Sequence, residues 1–305
     1  MIHNSSAMVQ KNLMIAEVRR FLEEANYAES TRKLYGYYLE DLAMYLAGEP
    51  TELLFRDCLD IPRARAWMNE RGWSAPARYL AACALRAFAR WRWGEASPML
   101  KLAVKRPKAR VQRTLTLDQV RRLILSIDTG RRSGVRNLAV VTFMLDTGFR
   151  AAEVCHLKLA RLDLCRRSAW AVVKGGDWGE GVFSAYTAEC LEAWLAARAK
   201  IARPGVQAVF VACETGVGKP LTTGGLRSIF RKLGQKAGLG LLSPHDMRRT
   251  FCTLALEGGA PTRVVQEAGR WKSLEMVELY SKALRAHAID PYSPVEKAVK
   301  ASERK

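Results

Sequence analysis

Metal-ligating side chains are sparse in this chain of 305 residues, which holds four histidines and seven cysteines. The cysteines (58, 83, 155, 165, 190, 213 and 252) are odd in number, and no two form a CxxC pair. That pattern argues against a zinc site and a disulfide framework; thiols kept as small buried hydrophobes in a reducing compartment are expected. Long apolar runs are missing too. None approaches the roughly 20 residues of a membrane span, and the first residues lack the apolar core of a signal peptide. A cytoplasmic protein with no membrane partner follows. Acidic residues are in deficit, with 30 Asp and Glu against 49 Lys and Arg, for a net charge of +19.

What is present is apolar content of 49%, enough for a packed core in each of two ordinary domains. The positive charge is uneven. Residues 1–98 are nearly balanced at net +1, residues 99–113 carry six basic residues and no acid, and residues 114–305 carry net +12. The excess points to a polyanionic partner, nucleic acid above all, against the plainer alternative of a solvated basic surface. The expected division is a helical domain over 1–98, a basic linker over 99–113, a second domain over 114–290 and a tail over 291–305.

The first domain reads as helices. Ile15, Val18, Leu22 and Ala25 recur at helical spacing, and Ser30 is placed to cap a second helix. A short third helix follows Asp60-Ile-Pro62. A long fourth begins at Ser74-Ala-Pro76, with Tyr79, Leu80, Cys83, Ala87 and Trp91 as its apolar positions. It carries Arg78, Arg86, Arg90 and Arg92, suited to phosphates along a DNA groove. The linker adds Lys105, Arg106, Lys108 and Arg110. In the second domain Thr116-Leu-Asp-Gln119 predicts a capping box. A buried helix from Val135 stops at Gly148. A small β region then comprises 169–173, a glycine-rich turn at 175–179, and 182–185. Helices are expected at about 187–200, 223–237, 244–257, 262–268 and 273–287. The fold class is mainly α with a small β region.

Four groups carry potential chemistry. Thr147-Gly-Phe-Arg150 sets an arginine just past a helix-ending glycine, with Glu153 three residues on. Lys174 ends an apolar strand. Ser243-Pro-His-Asp-Met-Arg-Arg249 puts His245 and Arg248 one helical turn apart at a helix start, where backbone N–H groups favour an anion. Tyr280 lies nine residues after Trp271. Singly, each has an ordinary structural explanation: surface arginine, hairpin lysine, capping histidine, core tyrosine. Jointly, they match the needs of metal-free attack on a phosphodiester. Guanidinium groups neutralise the non-bridging oxygens, a base activates the phenol, and an acid protonates the leaving oxygen.

Taken together, these motifs resemble the tyrosine recombinase (phage integrase) family over most of the chain. The resemblance implies a site-specific DNA recombinase or integrase, with catalytic residues Arg150, Lys174, His245, Arg248, Trp271 and Tyr280, and with Glu153 in support. Trp271 stands where most members have histidine, as in Cre-like members, and the lysine hairpin lacks the usual second basic residue. The resemblance further implies strand cleavage through a 3′-phosphotyrosyl intermediate, no metal and no cofactor. Its partners would be double-stranded DNA and a homo-tetramer in the synaptic complex, formed from a free monomer or weak dimer. A non-catalytic DNA-binding protein of the same fold and a type IB topoisomerase-like enzyme are the alternatives.

Overall fold

The computed structural model describes residues 2–46, 59–107, 113–172 and 176–281, with the backbone alone for 2–10, 276 and 279–281. Expectations placed on Lys108, Arg110, Lys174, Cys58 and the tail 291–305 fall outside the described residues. The chain divides into two compact units, Met1–Ala109 and Arg110–Lys305. Among the described residues no helix is long and apolar enough to cross a membrane.

Among the described residues the first unit packs four helices: α1 (Ile2–Glu24), α2 (Glu29–Leu46), α3 (Ile61–Glu70) and α4 (Ala75–Trp93). The stripe on α1 is centred on Met14, Val18 and Phe21, with Ile15, Leu22 and Ala25 half-buried on its flank. Helix α2 opens at Glu29, so Ser30 lies inside it and is not its cap. Asp60 does cap α3, its carboxylate accepting from the Arg63 N–H at 2.7 Å. Such a cap is worth about 1 kcal/mol. On α4 the buried face is Ala81, Ala82, Ala84, Leu85, Phe88 and Ala89, whereas Leu80 is exposed. Small alanines bring the α4 backbone close to its neighbours, and Phe88 fills the centre. Trp67 is fully buried and donates to the Asp41 carboxylate at 2.9 Å. Met99 and Leu102 are buried in this same core, so the first residues of the expected linker pack with this unit.

The second unit holds α5 (Leu117–Leu125), α6 (Arg132–Thr147), α7 (Ala151–His156), β1 (Leu162–Asp163), β2 (Ser168–Val172), β3 (Trp178–Val182), α8 (Ala185–Ala199), α9 (Thr223–Lys236), α10 (Pro244–Glu257), α11 (Thr262–Gly269) and α12 (Leu274–Ser281). Thr116 and Gln119 exchange the two hydrogen bonds of a capping box at the start of α5. Helix α6 is buried nearly all round and packs against α8 and α10. Phe143 on α6 meets Phe149, Phe183 and Phe210 with ring centroids 5.1 to 6.1 Å apart. Burying each such ring stabilises the fold by about 1.5–3 kcal/mol.

The sheet is antiparallel in the order β1-β2-β3, with Ser168 opposite Val182 and Val172 opposite Trp178. The mainly α architecture with a small β region is therefore observed. The last strand differs from the expected 182–185: it is Trp178–Val182, and Ser184 already caps α8. Its inward positions are Gly179 and Gly181, so no apolar alternation marks it as a strand. Asp146, near the end of α6, accepts from the Ser184 N–H (2.8 Å), the Ser184 hydroxyl (2.7 Å) and the Thr187 hydroxyl (2.7 Å). Those bonds fasten the exit of the hairpin to the helix that leads to Arg150.

Candidate active site

The site is built where three turns of the second unit converge. The first is the stop of α6. Gly148 takes the left-handed conformation at φ 60°, which suits glycine at a helix C-terminus. Phe149 then drops into the core, fully buried, and Arg150 emerges at the head of α7. Both oxygens of Glu153 hold Arg150: Oε2 accepts from its backbone N–H at 2.8 Å, and Oε1 accepts from Nη1 at 2.7 Å. The Glu153 carboxylate is buried, while the Arg150 side chain is one-third exposed. The pair therefore presents a guanidinium to solvent from a fixed base.

The second turn is the start of α10. The Asp246 carboxylate accepts from the Ser243 N–H at 2.8 Å and from its hydroxyl at 2.9 Å, which closes the helix start. His245 is exposed there. Desolvation by neighbouring atoms, and then the charges of Arg249, Arg248 and Arg150, push its pKa below the ordinary 6.5, with Asp246 opposing. A neutral imidazole at pH 7 results, able to accept a proton. One turn on, Arg248 is 1% exposed. Its Nη1 donates to the Gly148 carbonyl, and its Nη2 donates to the Gly269 carbonyl at 2.6 Å. Hydrogen bonds from a charged donor contribute about 1.5–3 kcal/mol each, so Arg248 strongly ties the first and third turns together.

The third turn follows α11. Trp271 is buried, 4.3 Å from ring centroid to the Arg248 Cζ, and lies parallel to Phe251 at 6.3 Å. The ring lies directly against Gly269: a Cβ there would sit 1.6 Å from Trp271 Cζ3. Between them, Arg270 adopts φ 56°, a left-handed conformation that costs a non-glycine residue about 1–2 kcal/mol. Helix α12 then carries Tyr280 in its last turn and packs on α10 and α11, with Val277 buried in the same cluster as Trp271.

Beside Arg150 a cleft of about 830 Å³ opens, lined by His156, Lys158, Arg161, Trp170 and Trp178 among others. Both tryptophans lie on the outward face of the sheet and are exposed. The Arg161 Cζ stands 4.3 Å over the Trp178 ring.

The family model described as "Phage integrase family" matches residues 113–287. The chain belongs to the phage integrase family. It is an enzyme of the site-specific tyrosine recombinase type. Tyrosine recombinase XerC of Lactobacillus delbrueckii subsp. bulgaricus is 30% identical over 202 residues, covering 65% of this chain and 68% of the relative. XerC of Mycobacterium leprae is 29% identical over 273 residues, covering 83% and 88%. Among solved structures, XerH site-specific recombinase bound to palindromic difH substrate, in a post-cleavage complex, aligns with a TM-score of 0.70 at 18% identity, covering 87% of this chain and 80% of that one. A lambda integrase dimer bound to a COC′ core site aligns with a TM-score of 0.69 at 15% identity, covering 88% and 78%.

In this recombinase the structure gathers Arg150, Glu153, Arg248 and Trp271 around the three turns, with His245 at their edge and the backbone of Tyr280 on the adjoining helix. Arg270 belongs with them and was missed in the sequence reading. The signal open to that reading was an arginine at a helix stop, where glycine is usual. The arginines of α4 in the first unit have partners within that unit. Arg78 donates to Asn69 at 3.3 Å, Arg90 pairs with Glu95 at 2.6 Å, and Arg92 pairs with Glu17 at 3.0 Å. Arg86 is half-buried and donates to the Leu102 carbonyl at 2.6 Å. Lys105 and Arg106 are exposed.

Proposed function

We propose that the chain binds double-stranded DNA and cuts one strand by attack of Tyr280 on a backbone phosphorus. The phenol oxygen bonds to phosphorus, the bond to the 5′-oxygen breaks, and a 3′-phosphotyrosyl link and a free 5′-hydroxyl result. Arg150 and Arg248 hold the non-bridging oxygens, whose charge grows in the pentacoordinate transition state. Trp271 donates its indole N–H to a phosphate oxygen. His245 accepts the phenolic proton, and Lys174 delivers one to the departing 5′-oxygen. A 5′-hydroxyl from another duplex reverses the step. The phosphotyrosyl bond stores the energy of the broken one, so the exchange needs no metal and no nucleotide cofactor.

The observation that carries this reading is the pair of hydrogen bonds that Arg248 donates to the Gly148 and Gly269 carbonyls. Those bonds bring the turn that carries Arg150, the buried Arg248 and the Trp271 ring together at one helix start. The basic cleft beside Arg150, floored by exposed Trp170 and Trp178, suits the sugar-phosphate backbone flanking that point. The first unit, with Arg78, Arg86, Arg90 and Arg92, and residues 99–113, with Lys105, Arg106, Lys108 and Arg110, add phosphate contacts, and the domain over 114–290 does the chemistry. Four protomers assemble on two sites through a Holliday junction. The protein works in the cytoplasm on the nucleoid.

A nicked duplex that loses a short cleaved fragment traps the covalent intermediate and tests the proposal. Wild-type protein is expected to accumulate a 3′ adduct and, given two sites, recombinants. Tyr280→Phe is expected to bind DNA as before and give no adduct. An undiminished adduct in that variant removes Tyr280 from the role. Adducts with relaxation but no exchange between paired sites would mark a topoisomerase, and no adduct from the wild type a binding protein.

A further inference from the structure

Arg270 stands where the chain needs a left-handed residue, between the end of α11 and Trp271. Glycine would make that turn without strain, and it would place no charge inside the protein. Instead a guanidinium only 7% exposed lies behind the site. Its Nη1 donates to the carbonyls of Glu180 and Ala268, both at 2.8 Å, and its Nη2 donates to the Thr147 carbonyl at 2.9 Å. Its Cζ rests 4.2 Å over the Phe149 ring. Its Nε is buried and has no acceptor among the described residues. Burial pushes its pKa down to about 10, and the neighbouring Glu153 carboxylate is what opposes that shift. A glycine would relieve the strained turn and the buried charge, but it would give up three hydrogen bonds to main-chain carbonyls.

The arrangement does change the charge at Arg150. Glu153 gives Oε1 to Arg150 at 2.7 Å, and its Oε2 lies 3.8 Å from Arg270 Nη2. One buried carboxylate thus sits between two guanidinium groups. Arg150 and Glu153 alone would sum to zero, a poor receptor for a phosphate. With Arg270 behind Glu153 the trio carries net +1, in surroundings dry enough for that charge to act over several ångströms. The same guanidinium holds the β3 backbone at Glu180 to the end of α6 at Thr147, which fixes the hairpin against the Arg150 turn.

We infer that Arg270 is a positioning residue for strand cleavage: it neutralises Glu153 from behind, so that the charge of Arg150 is available to the scissile phosphate, and it locks β3 to the Arg150 turn. The inference rests on the role proposed above for Arg150.

The test uses the chain of 305 residues and a nicked duplex selected from a random-sequence library by covalent trapping with the wild-type protein. The scissile linkage is made either as the natural phosphate or as an uncharged methylphosphonate, and the cleaved strand is quantified. Arg270→Gly suits the turn but leaves the Glu180, Ala268 and Thr147 carbonyls without their donor, so it is expected to lower the melting temperature, while its DNA affinity, read well below that temperature, stays near wild type. Its cleavage rate is expected to fall about tenfold or more on the phosphate and less than about threefold on the methylphosphonate, because the latter places no anion opposite the missing charge. Arg270→Lys, which keeps the charge and loses the fork, is expected to recover part of the rate on the phosphate. A loss of equal size on both linkages would reduce Arg270 to structural support, and no loss on either would remove it from the reaction; both overturn the inference. Arg150→Ala, run alongside, separates the two layers. If its defect also fails to shrink on the methylphosphonate, the reading of Arg150 itself is wrong. If it shrinks and that of Arg270→Gly does not, only the present inference fails.

Discussion

Arg248 reaches back one hundred residues to donate to the carbonyl of Gly148, and so makes the helix stop before Arg150 a part of its own binding pocket. The bond explains how an arginine can be almost fully buried: main-chain oxygens compensate its desolvation, and the indole of Trp271 covers it at 4.3 Å.

Removing this side chain is therefore expected to be felt in two measurements. Arg248→Ala leaves the Gly148 and Gly269 carbonyls without their donor inside the fold and should lower the unfolding free energy by about 2–4 kcal/mol in urea titration. Arg248→Lys should recover part of that stability. It should still lose cleavage far more than DNA binding, because an ammonium cannot serve two carbonyls and a phosphate in the planar geometry of a guanidinium. Equal losses of cleavage and binding would assign Arg248 to general affinity.

The depressed pKa of His245 gives a signed pH dependence. The folded protein favours the neutral ring, so both the base and the stability it is linked to are fully present above the ordinary value of 6.5 and are lost as pH falls below it. Single-turnover cleavage should be flat through neutral pH, with an acid limb displaced below 6.5. His245→Gln should slow the reaction and erase that limb. An acid limb unchanged in the variant would point to another group.

Gly269 offers a purely steric probe. An alanine methyl there would fall 1.6 Å from Trp271 Cζ3, with the ring edge around it, so the indole must leave its place on Phe251. Gly269→Ala is expected to destabilise the chain by about 1–3 kcal/mol and to reduce cleavage about tenfold or more while DNA affinity holds. Trp271→Phe in the same assay should show a cleavage loss with a smaller change in stability. Wild-type cleavage by Gly269→Ala would mean that the position of the indole is immaterial.

How far these features were legible in the sequence follows the range of the forces involved. Gly148 as a stop, Thr116 and Gln119 as a capping box, and Ser243-Pro244 as a helix start depend on bonds within a few residues, and each is found where it was expected. The β3 boundary was misplaced because its inward residues are glycines, which leave no periodic trace. The buried face of α4 was misjudged because alanines, with little hydrophobic weight, make the close contact while Leu80 stays exposed. Arg270 escaped notice because its meaning lies in acceptors 90 and 123 residues away, at Glu180 and Thr147. A string of letters shows an arginine after a glycine; only the fold shows which carboxylate it faces.

The three hydrogen bonds received by Asp146 have a mechanical implication. They rivet the strand leaving the hairpin to a helix whose next turn delivers Arg150. A displacement of that strand would therefore be carried to the turn that holds the Arg150 guanidinium, four residues downstream.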